Sequence, residues 1–161
     1  MLLWYVGMSV LLVANIFRSV GVDYRLIAAG ALLPLVVDLP VGHRAFGHTL
    51  LFPVGLLVVV MLGTIGRSRL LRRRLLCVPI GVFCGLVLSG AFTSSDTFWW
   101  PLPGTALDGG GLLPAWWVVL LLELGGLVAC WWVVGQFDLY LPEPRTELVR
   151  TGRLRESAPP P

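Results

Sequence analysis

The sequence predicts an all-α, polytopic integral membrane protein with about five transmembrane helices. Of its 161 residues, 57% are hydrophobic and only 13% are charged, and the mean hydropathy is +0.84. This composition is too apolar for an ordinary soluble domain. The apolar residues form stretches of helical length, separated by short segments that carry the charges. We therefore expect a transmembrane helical domain over residues 1–138 and a disordered cytoplasmic tail over residues 139–161.

The first two apolar stretches predict helices of different character. Residues 2–17 are apolar except for Ser9 and Asn15, with no basic segment before them and no cleavage site after them, so we expect a retained helix and not a signal peptide. The second run has about a dozen residues before Asp38, fewer than the ~20 that cross hydrocarbon. Helix 2 is therefore short, kinked at Pro34 or re-entrant. There are five helices if it spans the membrane and four if it does not.

Three more helices are expected over residues 47–65, 75–92 and 113–134, and the loops between them set the orientation. Five arginines lie in the eight residues 67–74, which predicts a cytoplasmic loop by the positive-inside rule. The loop after helix 4 has no basic residue and contains Phe98, Trp99 and Trp100, side chains typical of the membrane interface. The net charge of +3 is concentrated in a few loops and is explained by their part in setting the membrane topology, so it does not indicate nucleic-acid binding. Membrane lipids are the expected partners.

A cluster of ionisable residues interrupts the apolar sequence between helices 2 and 3. The segment LLPLVVDLPVGHRAFGHTLLF, residues 32–52, contains Asp38, His43, Arg44 and His48 among prolines and glycines. Ionisable groups near hydrocarbon are costly, so this cluster is a candidate functional site. If the arginine loop is cytoplasmic, helix 3 begins outside. The cluster and the tryptophan loop should then meet at the outer face.

Two stretches resemble the predicted membrane-bound metal-dependent hydrolases, a family of small multi-helix proteins in bacteria and archaea. They are LLPLVVDLPVG with FGHTLLF, and GLVLSGAFTSSDTFWWPLPG. The family pattern is approximately LLPDLIDKPLG followed by G-H-[ST]-L-L-F, then H-L-x-L-D, a polar linker and F-W-W-P. The resemblance covers residues 25–104 and implies a multi-pass protein of a prokaryotic plasma membrane.

The polar positions of the family pattern are only partly kept. Asp38 matches the second acid of the first motif, and His48 matches the histidine that opens helix 3. Leu35 stands in place of the first acid, Gly85 in place of the second-motif histidine and Ser89 in place of its aspartate. The prolines and tryptophans that frame the motifs remain, so the resemblance implies a retained fold with a degenerate, outward-facing metal site.

Two functions remain open for this cluster. By the resemblance, Asp38 and His48 are catalytic and hold a divalent ion, zinc or manganese. His43 is a candidate third ligand from the same loop, since a turn with Gly42 and Gly47 can fold back. A catalytic zinc site uses three protein ligands and leaves one position for water, which would attack a lipid-linked or phosphate ester at the bilayer surface. Alternatively, Asp38 pairs with Arg44 or His43 and joins helices 2 and 3 in a non-enzymatic membrane scaffold or partner-binding protein.

Glu123 is a second candidate site, in the middle of helix 5. A lone carboxylate there is penalised unless it is protonated or paired. It is either a proton- or metal-linked group, or a neutral acid bonded to a neighbouring helix that Gly125 and Gly126 allow to approach closely. The candidate partners are Ser9, Asn15 and Ser89.

Overall fold

The computed structural model describes residues 1–17, 21–93, 95–102 and 110–154. In these ranges the chain is all-α, as predicted, with seven helices and two 3-10 turns at Phe46–His48 and Ala91–Thr93. The helices are α1 (Leu2–Phe17), α2 (Tyr24–Asp38), α3 (Leu51–Gly63), α4 (Arg69–Leu88), α5 (Ser95–Phe98), α6 (Trp116–Gln136) and α7 (Pro142–Thr151). Helices α1–α4 and α6 pack side by side in the order α6, α1, α2, α4, α3, and α1 also touches α4.

Neighbouring helices run in directions that can be read from their contacts. Gly7 of α1 lies against Gly126 of α6, and farther along, Val13 packs in one cluster with Val133, so α1 and α6 are parallel. Val13 also shares that cluster with Ile27, near the start of α2, which makes α1 and α2 antiparallel. We call the end of the bundle that contains Asp38 the site end, and the end that contains the start of α4 the arginine end.

Glycines bring α2 and α4 into direct backbone contact. A Cβ built on Gly30 would lie 3.1 Å from the Cα of Gly81, and one on Gly85 would lie 3.0 Å from the carbonyl carbon of Ala31. Gly81 and Gly85 form a G-x-x-x-G pair, which lets two helices approach closely without a Cβ between them. Helix α2 continues through Pro34 from the arginine end to the site end. The chain therefore does not fold back at Pro34.

Four of the five arginines, those in residues 69–74, belong to α4 and not to a loop, so the predicted start of helix 4 at residue 75 was wrong. Ser68 caps the helix, because its hydroxyl accepts a hydrogen bond from the Leu71 amide at 3.3 Å. Arginine is also a good helix former, so the charged residues extend the helix. Helix α4 ends at Leu88, before the expected residue 92, because Gly90 adopts φ +66°.

The tail is partly structured, in contrast to the predicted disorder from residue 139. Helix α7 forms over Pro142–Thr151, with proline in its first turn and Gly152 as a left-handed C-cap. The carbonyl of Gly152 accepts a hydrogen bond from the Tyr24 amide at 2.8 Å, and the Leu154 side chain is buried. The chain returns to the bundle here, which a composition argument does not capture. Residues 155–161 lie outside the described part.

One of the described helices, α6, is long and apolar enough to cross a membrane on its own, and α1 and α3 are shorter apolar helices. Large apolar side chains on α6 are exposed along its whole length. Trp116, Leu120, Leu124, Leu127 and Trp131 are between 51% and 77% exposed. The described bundle thus turns apolar side chains outward, while it buries Asp23, Asp38 and His48.

Candidate functional site

Asp38 is the last residue of α2, and its carboxylate holds the loop that follows. Oδ1 accepts a hydrogen bond from the Gly47 amide at 2.7 Å. Oδ2 accepts one from the Ala45 amide at 2.7 Å and one from Nδ1 of His48 at 2.6 Å. Asp38 is 1% exposed and His48 is 3% exposed. For this buried carboxylate, three hydrogen bonds from the protein replace the hydrogen bonds to water.

The geometry of the loop depends on glycine at two positions. Gly42 turns the chain with φ +76°, a conformation that other residues rarely adopt. Gly47 sits so close to α2 that a Cβ there would lie 2.7 Å from the Pro34 carbonyl oxygen and 2.8 Å from Asp38 Oδ1. The loop can therefore reach the carboxylate only without a side chain at residue 47. Residues Phe46–His48 form a separate 3-10 turn and Thr49 is extended, so α3 begins at Leu51, later than the predicted residue 47.

Burial favours the neutral form of the His48 imidazole. Burial lowers the pKa of His48 and outweighs the raising effect of the hydrogen bond and charge of Asp38, and Arg44 lowers the pKa further. Because a carboxylate only accepts, Nδ1 carries the proton and donates to Asp38. Nε2 is then left with its lone pair, and it has no hydrogen-bond partner among the described residues.

Neither His43 nor Arg44 contacts Asp38, so the predicted pairing of Asp38 with one of them was wrong. His43 Nδ1 lies 3.2 Å from the Val41 carbonyl oxygen, on the outer side of the loop. Arg44 donates from its guanidinium to the Ser89 carbonyl oxygen at 3.2 Å, and its Nε is buried without a partner in the described part of the chain. Arg44 thus joins the loop to the end of α4 and not to α2.

The two polar segments meet at the site end, as the sequence predicted. The Leu50 amide donates to the Phe98 carbonyl oxygen at 2.9 Å. The ring of Phe46 packs edge-on against that of Trp100, with centroids 6.3 Å apart. The loop after α2 and the segment after α4 therefore form one surface, although about 50 residues separate them. Residues 94 and 103–109 of the tryptophan loop lie outside the described ranges.

The α4 positions that the resemblance equates with metal ligands do not face Asp38 and His48. Gly85 lies against the backbone of Ala31, where a histidine side chain would have no room. Ser89 donates its hydroxyl to the Leu86 carbonyl oxygen, one turn back in its own helix, while its carbonyl accepts from Arg44. Glycine at residue 85 is therefore explained by helix packing, independently of any lost ligand.

These contacts do not fit a divalent ion held by Asp38, His43 and His48. Both Asp38 oxygens are engaged by protein donors, and His43 is turned toward Val41. Among the described residues, no group of three or more His, Cys, Asp or Glu side chains is arranged to share a metal ion. Nε2 of His48 remains as a single imidazole donor, which on its own is not a metal site.

Glu123 lies on α6 and holds the start of α1. Its Oε1 accepts from the Leu2 amide and its Oε2 from the Leu3 amide, each at 2.9 Å, and Oε1 also contacts the α-amino group of Met1. The candidate partners are engaged elsewhere: Ser9 bonds to Val6, Asn15 to Leu11 and Ser89 to Leu86. Glu123 therefore faces a positive group and first-turn amides, which favours a charged carboxylate and not the predicted neutral acid.

The close approach expected at Gly125 and Gly126 is confirmed. A Cβ on Gly126 would collide with the backbone of Leu3, and one on Gly125 would lie 3.1 Å from the ring of Trp4. This contact brings the start of α1 alongside Glu123. Because a helix start has amides without intrahelical partners, a carboxylate from the parallel neighbour satisfies them.

The sequence analysis missed a second buried carboxylate, Asp23 at the arginine end. It is 3% exposed, caps α2 through the Arg25 amide and pairs with Arg74 at 3.1 Å. The available signal was an aspartate directly before the apolar run of helix 2, the usual N-cap position. The partner on α4 could not be read from the sequence.

Comparison with family models, with curated proteins and with solved structures finds no match to this chain.

Proposed function

We propose that this chain is a multi-pass membrane protein in which α1–α4 and α6 cross the bilayer. The site end faces outward and the arginine end faces the cytoplasm. The proposal is supported by the length and apolarity of α6 and by the exposed apolar side chains, which need a hydrocarbon environment. The arginines at one end, and the absence of basic residues from the tryptophan loop at the other, give the orientation.

The short helices constrain how the bundle sits in the bilayer. Helices α1, α2 and α3 have 16, 15 and 13 residues. At 1.5 Å per residue they are about 20–24 Å long, whereas the hydrocarbon core is about 30 Å thick. Lipid must therefore thin around this side of the bundle, or the loop residues must enter the hydrocarbon edge. Because polar groups of the site loop are already hydrogen-bonded within the protein, their entry into the hydrocarbon edge costs less free energy.

We propose further that the protein is similar in fold to the membrane-bound metal-dependent hydrolases, with a degenerate metal site. In this function Asp38 and His48 lock the outer loop, and the protein acts as a membrane scaffold or partner-binding protein. The observation that carries the proposal is that three protein donors engage both oxygens of the Asp38 carboxylate. A metal ion at Asp38 would have to share an oxygen that already accepts a hydrogen bond from the protein.

Elemental analysis of the purified protein tests this proposal. Zinc, manganese and iron should be measured in the native chain, in His48→Ala and in the matched control His43→Ala. We expect well under one metal ion per chain in all three proteins, because a lone imidazole does not fix a coordination geometry. About one metal ion per chain in the native protein and in His43→Ala, lost in His48→Ala, would refute the degenerate site and favour metal-dependent hydrolysis.

A second candidate function is ester hydrolysis with His48 as a general base. The observation that favours it is the orientation of His48, whose Nδ1 is fixed by Asp38 while Nε2 keeps its lone pair. A carboxylate-oriented, neutral imidazole is the arrangement that accepts a proton from a nucleophile. Removal of a general base lowers the rate about 10²–10⁴-fold.

A chromogenic phosphate or carboxylic ester, presented in detergent micelles, separates the two functions. His48→Asn keeps a donor to Asp38 but removes the base. If His48 is catalytic, hydrolysis by the native protein should fall by that factor in His48→Asn and persist in His43→Asn. Equal rates in all three proteins would assign any hydrolysis to a contaminant and leave the scaffold function standing.

A further inference from the structure

The tail is fixed to the arginine end by hydrogen bonds around Asp23. Arg74 binds the Asp23 carboxylate through Nη2 at 3.1 Å and also reaches the Thr151 carbonyl oxygen at 3.4 Å. Arg25 donates to the Val149 carbonyl oxygen at 2.6 Å. These contacts tie the last turn of α7 to the start of α2 and to α4. They determine where the arginines of the tail come to lie.

As a result, arginines that are about 75 residues apart in the sequence surround one cavity. The cavity has a volume of about 480 Å³, and its lining includes Leu70, Arg73, Arg74, Arg150, Thr151 and Arg153. This volume is within the usual range of small-molecule sites. Two of its arginines come from α4 and two from the end of the tail. The tail that was predicted to be disordered therefore completes it.

The cavity has an unbalanced positive charge. Arg74 is paired with Asp23, whereas Arg73, Arg150 and Arg153 make no ion pair with any acid in the described ranges. Guanidinium groups that converge on one space repel each other, and a bound anion relieves that repulsion. The planar guanidinium also matches phosphate oxygens in a two-pronged hydrogen-bonded geometry.

We infer that this cavity binds a phosphate group. The favoured source is the headgroup of an anionic phospholipid in the cytoplasmic leaflet. Leu70, which lines the same cavity, is apolar and 66% exposed, as expected where a headgroup continues into acyl chains. The lipid source depends on the membrane orientation proposed above, but phosphate binding by the arginines does not.

Binding should be measured on the full-length chain in two arms. In the first arm, the affinities for phosphatidylglycerol and phosphatidylcholine are compared by native mass spectrometry in detergent. In the second arm, inorganic phosphate is tested by the shift in thermal unfolding and by competition with phosphatidylglycerol. Preference for phosphatidylglycerol without competition by inorganic phosphate identifies a lipid headgroup. Competition shows that the phosphate group itself is recognised and that a soluble source is also accepted.

The test variant is Arg73→Gln/Arg150→Gln/Arg153→Gln, whose side chains make no hydrogen bond or ion pair with another residue in the described ranges. Each arginine near a phosphate contributes about fivefold to affinity, so we expect about a hundredfold loss. If this variant does not fold, Arg150→Gln/Arg153→Gln changes only the tail and should lose about twenty-fivefold.

A matched control removes three charges from the same end of the bundle but outside the cavity. It is Arg67→Gln/Arg69→Gln/Arg145→Gln, three exposed arginines. We expect its loss to be at least tenfold smaller than that of the test variant, because diffuse attraction is screened over a Debye length. Equal losses in both variants, or no binding of either ligand by the native chain, would overturn the inference.

Discussion

The Asp38 carboxylate is buried and accepts three hydrogen bonds, and the substitution Asp38→Asn tests how much they contribute to the free energy of unfolding. Asparagine has one oxygen in place of two, so its amide NH₂ must face a backbone or imidazole N–H at 2.6–2.7 Å. In the better orientation the oxygen keeps Ala45 and His48, and the Gly47 amide loses its acceptor. A buried donor without an acceptor costs about 1–3 kcal/mol. The two remaining bonds also lose their charge assistance, at about 1 kcal/mol each.

The expected loss of unfolding free energy is therefore about 3–5 kcal/mol, which changes the folded-to-unfolded ratio by more than about a hundredfold. The measurement is resistance to unfolding by sodium dodecyl sulfate in mixed micelles. The matched control is Asp138→Asn, the same chemical change at a residue with φ +47°, where asparagine is well tolerated. Equal losses in the two variants would refute the conclusion that Asp38 locks the loop.

The same assay, repeated from pH 8 to pH 5, tests the protonation state of His48. Burial lowers the pKa of folded His48 below the unfolded value of about 6.5, so the unfolded chain binds more protons in that range. Stability is then complete above about pH 6.5 and falls as the pH drops toward the lowered pKa. His48→Asn, which keeps a donor to Asp38, should lose this part of the pH dependence. An unchanged slope would contradict a neutral His48.

Three further outcomes are expected from contacts elsewhere in the bundle. Gly85→Ala pushes a Cβ into the α2 backbone and should lower the free energy of thermal unfolding by about 1–3 kcal/mol. The control Gly55→Ala, with open space around residue 55, should be neutral or stabilising. Similar melting temperatures for the two variants would argue against the close α2–α4 contact. Glu123→Gln should lower stability by about 1–2 kcal/mol because its partners are a positive group and two amides; no change would favour a neutral acid. In intact cells, an impermeant thiol reagent should label Leu102→Cys and spare Arg67→Cys, and the opposite pattern would reverse the proposed orientation.

The features that the sequence predicted well are those set by local pattern. The bounds of α1 follow from one uninterrupted apolar run. The meeting of the two outer polar segments follows from counting helices between charged loops, and the Leu50–Phe98 hydrogen bond confirms it. The start of α4 was missed because charged residues were taken to mark a loop, although arginine extends a helix once Ser68 caps it.

The features that the sequence could not provide depend on contacts between distant residues. Glu123 looked isolated because its partners, at the start of α1, are about 120 residues away. Gly85 looked like a lost ligand, since a pattern match cannot distinguish an absent side chain from one that packing forbids. The fold of the tail was missed for the same reason, because its partners Asp23 and Arg74 are on other helices.

The two buried aspartates at the ends of α2 explain how a short apolar helix is held in a defined register. Asp23 caps the start of α2, where a carboxylate is favoured by the helix dipole, and it gathers Arg74 and the tail. Asp38 lies at the other end, where the dipole disfavours a negative charge, so it needs the three donors of the site loop. A shift of α2 by one turn would move one carboxylate about 5.4 Å toward the middle of the bundle and separate both from their donors. The register of the central helix is therefore fixed by its two charged ends, because the glycine contacts along α4 are close but weakly directional.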